Sequence, residues 1–151
     1  MILYLDYDGV LNEAICHDSY DLLKWSPLLI EVLMPFPSVE IVLSTSWVRN
    51  RGFDRTLAYL PKELQRRVVG ATYDPALRLT CQYDSATRLE QITQHAERNN
   101  ITRWIAIDDL YEGSELWDDA LQDRLILTDP IRGLCDPAVH ARLKMLLQEF
   151  Q

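Results

Sequence analysis

The chain has 151 residues, 48% apolar and 25% charged, which suits one soluble domain spanning 1–151. A net charge of −8 argues against non-specific binding to nucleic acid, and no apolar run approaches the ~18 residues of a membrane span. Cys16, Cys81 and Cys135 lie far apart without Cys-x-x-Cys spacing, which fits neither a disulfide framework nor a zinc site. No basic-then-apolar leader precedes Asp6, so a cytoplasmic protein is expected.

The first element is "ILYL" at 2–5, a continuous apolar run suited to a strand covered on both faces. Asp6, Asp8 and Gly9 follow at once, and glycine permits a tight backbone exit. Ser26 then Pro27 predicts a helix start before "LLIEVLM". "VEIVLS" at 39–44 reads as the next strand, ending at Thr45 and Ser46. Residues 49–88 hold eight of the fifteen Lys and Arg with four acids, a local charge of +4 against −12 elsewhere. That segment reads either as a solvated helical surface or as a positive rim for an anionic substrate.

"VVGAT" at 68–72 is a weaker strand. Asp84 or Ser85 then predicts a cap for "ATRLEQITQHAERN", where Leu89, Ile92 and Ala96 share one face. "RWIAI" at 103–107 ends in Asp108 and Asp109, "RLILT" at 124–128 is a last strand, and Asp136-Pro137 opens a last helix. Strands alternating with helices predict an α/β fold: a three-layer, Rossmann-like parallel sheet with helices on both faces. Ligands of such sheets sit beyond the C-terminal strand ends.

Asp6, Asp8, Asp108, Asp109 and Thr45 would meet at that edge. Two unit charges ~5 Å apart repel by about 3 kcal/mol at an effective dielectric constant of about 20. Several such pairs call for a cation or retained protons. An all-oxygen carboxylate set suits Mg²⁺, which binds through one or two carboxylates plus substrate phosphate. Residues two apart in a regular strand point alike, so Asp6 and Asp8 could face one reacting centre. One carboxylate can attack phosphorus; the other can protonate the leaving oxygen and then deprotonate water.

"LDYDGVLN", "VLSTSW" and "IAIDD", in that order, resemble the haloacid dehalogenase (HAD) superfamily of phosphohydrolases over nearly the whole chain. The resemblance implies Asp6 as nucleophile, Asp8 as general acid/base and Thr45 as a hydrogen-bond partner of the phosphoryl group. It implies Mg²⁺ held by Asp6, the Asp8 carbonyl and Asp108, with Asp109 helping through water. The superfamily's third motif is a Lys, sometimes an Arg, opening the helix before the fourth strand. Here that place falls to Arg88, with Arg78 in reserve; an Arg fork differs from a Lys point charge. Asp8 to Thr45 is 37 residues and Thr45 to Arg88 is 43, which leaves no room for a large cap domain, only a short flap near 10–20. Capless members tend to act on large substrates or close by oligomerisation. "VLSTSWVR" and "LTDPIRGL" also resemble a HAD group found in RNA-repair multidomain proteins.

Simpler readings compete. An EF-hand fails because Val10 and His17 stand where ligands are needed. A receiver domain places its acidic pair after the first strand, whereas Asp108 and Asp109 come late. Asp109 as a helix cap, Trp25, Trp47, Trp104 and Trp117 as core, and His17 as surface are the structural alternatives; Trp47 could instead stack on a base or sugar. Ser46, Arg49 and Arg51, just past the second strand, are expected to contact substrate. An acid at Asp8 favours phosphatases over dehalogenases and pump ATPases, and mutases usually need a cap. The expected function is a Mg²⁺-dependent phosphatase acting on a phosphorylated substrate, nucleotide, phosphoprotein or nucleic-acid end. The alternative is a catalytically idle HAD-fold module that binds phosphorylated ends or a protein partner.

Overall fold

The computed structural model describes residues 1–15, 21–76, 86–109 and 119–150. Strands β1 (Ile2–Leu5), β2 (Glu40–Leu43), β3 (Val68–Ala71), β4 (Trp104–Asp108) and β5 (Leu125–Leu127) form one sheet in the order β3-β2-β1-β4-β5. Every pairing is parallel. β1 lies centrally, and Ile2 is in register with both Glu40 and Trp104. All four residues of β1 are buried, which explains its unbroken apolar run.

Period-two alternation sorts the strands onto two faces. Leu3, Leu5, Ile41, Leu43, Ile105 and Ile107 pack with Leu29 of helix α1 (Ser26–Leu33) and Leu143 of helix α7 (Pro137–Glu149). Ile2, Tyr4, Val42 and Ala106 pack on the other face against Ile92 and Ala96 of helix α5 (Arg88–Arg98). Leu89 joins that cluster, as its helical spacing predicts. The result is the expected three-layer α/β/α architecture. Short helices α2 (Ser46–Arg51), α3 (Phe53–Ala58) and α4 (Lys62–Gln65) link β2 to β3, and α6 (Asp119–Gln122) precedes β5. Among the described residues no second domain interrupts the sheet; residues 16–20 of the expected flap lie outside them.

Helix starts differ from expectation in two places. Trp25, not Ser26, takes the capping position of α1, and Ser26 lies within the first turn with its hydroxyl buried. Thr87 caps α5 in a reciprocal box: its hydroxyl accepts the Glu90 N–H, and Glu90 accepts the Thr87 N–H at 2.7 Å. The proposed caps Asp84 and Ser85 lie outside the described residues. Asp136 caps α7 as expected, accepting the Ala138 N–H at 2.9 Å.

One of the basic residues of 49–88 has a structural task. Arg67 donates to the carbonyls of Leu33, Phe36 and Val39, where α1 ends and β2 begins. At the opposite, C-terminal edge, hydrogen bonds continue past the strands. Asp6 donates its N–H to Ile107 O at 3.2 Å, Ser44 donates to Leu5 O at 2.8 Å, and Thr128 donates to Asp108 O at 3.0 Å. The chains leaving β1, β2, β4 and β5 are thereby held side by side.

Candidate active site

Asp6 stands at the centre of that edge, only 6% exposed. Its Oδ1 accepts the Tyr7 N–H at 2.7 Å, and Arg88 Nη2 lies 3.4 Å from its Oδ2. Thr45, just after β2, favours the charged form of this carboxylate. Burial pushes the Asp6 carboxyl up to about 6; Arg88, the Tyr7 N–H and Thr45 oppose that rise, and the Asp109 charge adds to it. Asp109 is also pushed up, chiefly by burial and then by Asp8, against its own backbone N–H and Arg88.

Asp108 is buried at the end of β4, with Arg88 Nε 3.0 Å from its Oδ2. One oxygen each of Asp6, Asp108 and Asp109 falls within 4.8 Å of the others. Three carboxylates face one guanidinium, so a divalent cation would balance the remaining charge when all are ionised. The donor set is all oxygen and partly open at Asp109, which suits Mg²⁺.

Asp8 behaves differently. β1 ends at Leu5, so the strand argument that Asp6 and Asp8 must face alike does not apply beyond it. The Asp8 carboxylate lies outside the three-aspartate group. Its Oδ2 accepts the Trp47 Nε1–H at 2.7 Å, and its Oδ1 accepts from Asn12 Nδ2 at 3.0 Å. Gly9 then turns the chain at φ 70°, and a Cβ there would sit 2.1 Å from Asp109 Oδ2. The glycine is needed both for its backbone angle and for the room its missing side chain leaves to Asp109.

Arg88 opens α5 and touches both Asp6 and Asp108, the position anticipated for the third motif. Arg78 lies outside the described residues, as do Cys16, His17, Cys81 and Trp117. Thr45 caps α2 and accepts the Trp47 N–H at 3.4 Å. Ser46 and Arg49 are exposed on α2 beside the site. Arg51 is exposed too, but its guanidinium lies 4.2 Å from the Trp47 ring centroid and donates to the Tyr59 hydroxyl at 3.2 Å. It is packed on aromatic rings rather than extended as part of a free rim. Trp104 is buried and Trp25 partly buried, as expected of core residues, while Cys135 is exposed.

Three contributions escaped the sequence reading. The Trp47 indole, expected in the core, is buried, yet its polar atom reaches Asp8. Asn12, fully buried, holds the other Asp8 oxygen. Thr128 donates its hydroxyl to the Gly9 carbonyl at 2.8 Å, tying β5 to the aspartate loop. The available signals were a Trp two residues after the capping Thr, an Asn four residues after Asp8, and a Thr closing the last strand.

A parallel sheet of this order, with an aspartate loop after β1, a hydroxyl after β2 and an acidic pair after β4, defines a domain of the HAD class, whose chemistry is of the phosphohydrolase type. Within that class, residues 2–139 match the family described as the HAD domain in Swiss Army Knife RNA repair proteins, and the chain belongs to it. No curated protein and no solved structure gave a significant match. Among the described residues no helix is long and apolar enough to cross a membrane.

Proposed function

We propose that the chain is a Mg²⁺-dependent phosphatase working through an aspartyl-phosphate on Asp6. The observation that carries this reading is the buried Asp6 carboxylate, held between the Tyr7 N–H and Arg88 and within 4.8 Å reach of Asp108 and Asp109. Burial strips water from the carboxylate and keeps it reactive, while the hydrogen bonds aim it. Asp6 attacks phosphorus as the ester P–O bond breaks, and Asp8 gives the leaving oxygen a proton. Asp8 then takes a proton from the water that releases phosphate from Asp6. Arg88 and Thr45 are placed to hold the transferring group's oxygens. Asp6, Asp108 and Asp109 would hold Mg²⁺, joined by the Asp8 carbonyl, because the Asp8 carboxylate is engaged elsewhere. The cation would supply charge stabilisation at the phosphoryl oxygens.

A phosphorylated nucleic-acid end is the substrate class best supported. The sheet edge has no cap domain among the described residues, which admits an extended substrate, and the family's description refers to RNA repair proteins. Ser46 and Arg49 would contact that substrate beyond the reacting phosphate.

The test is phosphate release from a panel of nucleotides, sugar phosphates, phosphopeptides and 3′- or 5′-phosphorylated oligonucleotides, with Mg²⁺ or EDTA. Activity should require Mg²⁺, and Asp6→Asn should abolish it. Beryllofluoride, an acyl-phosphate mimic, should attach to Asp6 in a crystal. Full turnover in EDTA, or attachment at another side chain, overturns the reading.

A further inference from the structure

Trp47 is buried against the aspartate loop, and its one polar atom faces the site. Its Nε1–H donates to Asp8 Oδ2 at 2.7 Å. The ring is enclosed on several sides. Tyr7 meets it edge-on with centroids 5.4 Å apart, Tyr59 does so at 5.2 Å, and the Arg51 guanidinium lies 4.2 Å from its centroid. A core aromatic needs only volume and an apolar surface, which a residue without an N–H can supply. The short N–H contact to a carboxylate is the part that packing does not explain.

The second Asp8 oxygen is held as firmly. Asn12 donates to it at 3.0 Å and is itself anchored, accepting the Leu23 N–H at 3.2 Å and donating to Glu13 O at 2.7 Å. An indole N–H can only donate, so it orients the carboxyl group whether or not a proton rides on the other oxygen. Both uses of Asp8, giving a proton to the leaving oxygen and taking one from water, depend on that orientation.

We propose that Trp47 is a positioning residue for Asp8, its indole N–H fixing the rotamer of the acid/base while Tyr7, Tyr59 and Arg51 fix the indole. This rests on the phosphatase reading above. The site then depends on α2 twice, through the Thr45 cap and through the indole that follows it.

Trp47→Phe keeps an aromatic ring at the position and removes the donor, at the cost of a small cavity. For an alkyl phosphate, whose leaving oxygen needs a proton, kcat/KM should fall roughly ten- to a hundredfold, less than the roughly 10²–10⁴-fold of losing an acid/base outright. For an ester of a strongly acidic phenol, which leaves unprotonated, kcat/KM should stay within about twofold. Equal losses on both esters mean a structural role and overturn the inference while the phosphatase reading stands. A second readout is independent of turnover. The Trp47 Nε1–H resonance, assigned by its disappearance in Trp47→Phe, should move and exchange faster with solvent in Asp8→Ala. An unchanged resonance overturns the contact itself. A wild-type chain that cleaves neither ester overturns the phosphatase reading and the positioning role with it, and the resonance still reports whether the hydrogen bond exists.

Discussion

The Arg88 guanidinium stands 3.4 Å from the Asp6 carboxylate across 82 positions of sequence, and its Nε reaches Asp108 at 3.0 Å. It is the single cation seen to face both carboxylates among the described residues. Its target in the proposed reaction is the phosphoryl group, which every substrate carries. Arg88→Ala should therefore lower kcat by about 10²–10³-fold on small and extended substrates alike, the range typical of losing a preorganised charge stabiliser. Arg88→Lys should restore part of it, keeping the charge without the fork. Turnover that survives Arg88→Ala and is lost in Arg78→Ala would transfer this role to Arg78.

Gly9 and Asp109 compete for one volume. An alanine at position 9 would carry its Cβ to 2.5 Å from the Asp109 Cβ as well as 2.1 Å from Oδ2, too deep for a rotamer change to relieve. Gly9→Ala should cost more than the ~1–3 kcal/mol of a residue held at a strained backbone angle. In an Asp109→Gly chain the collision is gone, and the cost should drop to about that range. Denaturant unfolding of the four chains measures the coupling. Additive costs would mean that the two residues do not meet.

His95 lies on α5 against the sheet, its Nδ1 3.0 Å from the Tyr4 hydroxyl. Burial, and secondly the Arg98 charge, push its pKa below the ordinary value of 6.5. The folded chain then binds fewer protons at this site than the unfolded chain once pH falls below 6.5. The histidine's contribution is intact above that value and is lost as pH drops through the window beneath it. Unfolding midpoints for wild type and His95→Gln should converge as pH is lowered from 7.5 towards 5, a range of about 2.5 units below and around the histidine value. A constant difference across that range would remove His95 from the pH response. Comparing the two chains cancels Asp6, whose raised pKa gives the opposite slope in metal-free protein.

Arg49 and Arg51 should separate, although the sequence alone pairs them. Arg49→Ala should spare a small phosphate ester and weaken binding of a phosphorylated oligonucleotide, with the loss shrinking as salt rises. Arg51→Ala should reduce turnover on both, because Arg51 packs on the ring that steers Asp8. Identical profiles for the two variants would mean that Arg51 acts on substrate and not through Trp47.

What could be read in the sequence was whatever rests on local pattern. "ILYL" and "IAI" betray buried parallel strands because a residue covered on both faces must be apolar at every position. The acids that follow them are conspicuous because an ionisable side chain is rare beside so apolar a run, and Asp6 and Asp108 are themselves buried. Arg88 could be placed near a helix start because it follows a run of capping residues, although the cap is Thr87 and not Asp84 or Ser85. Trp47 could not, because an indole on the inner side of a helix looks like core whether or not its N–H has a partner. The fate of Arg51 depended on Tyr59 lying one helix further on, a relation that periodicity does not encode. Ser26 misled because Ser before Pro commonly caps, yet here the turn begins one residue earlier, at Trp25.

The bond from the Thr128 hydroxyl to the Gly9 carbonyl spans 119 positions. On the ribosome, Asp6 and Asp8 emerge long before Thr128, and their loop gains this anchor only after β5 has been made. The central strand waits as well, since its partner β4 begins at Trp104. The nascent chain therefore carries these aspartates unassembled until Thr128 has been made, and contacts of such long range make the closure slow. The aspartate loop is thus completed only by the last strand, although its own residues are made well before that strand.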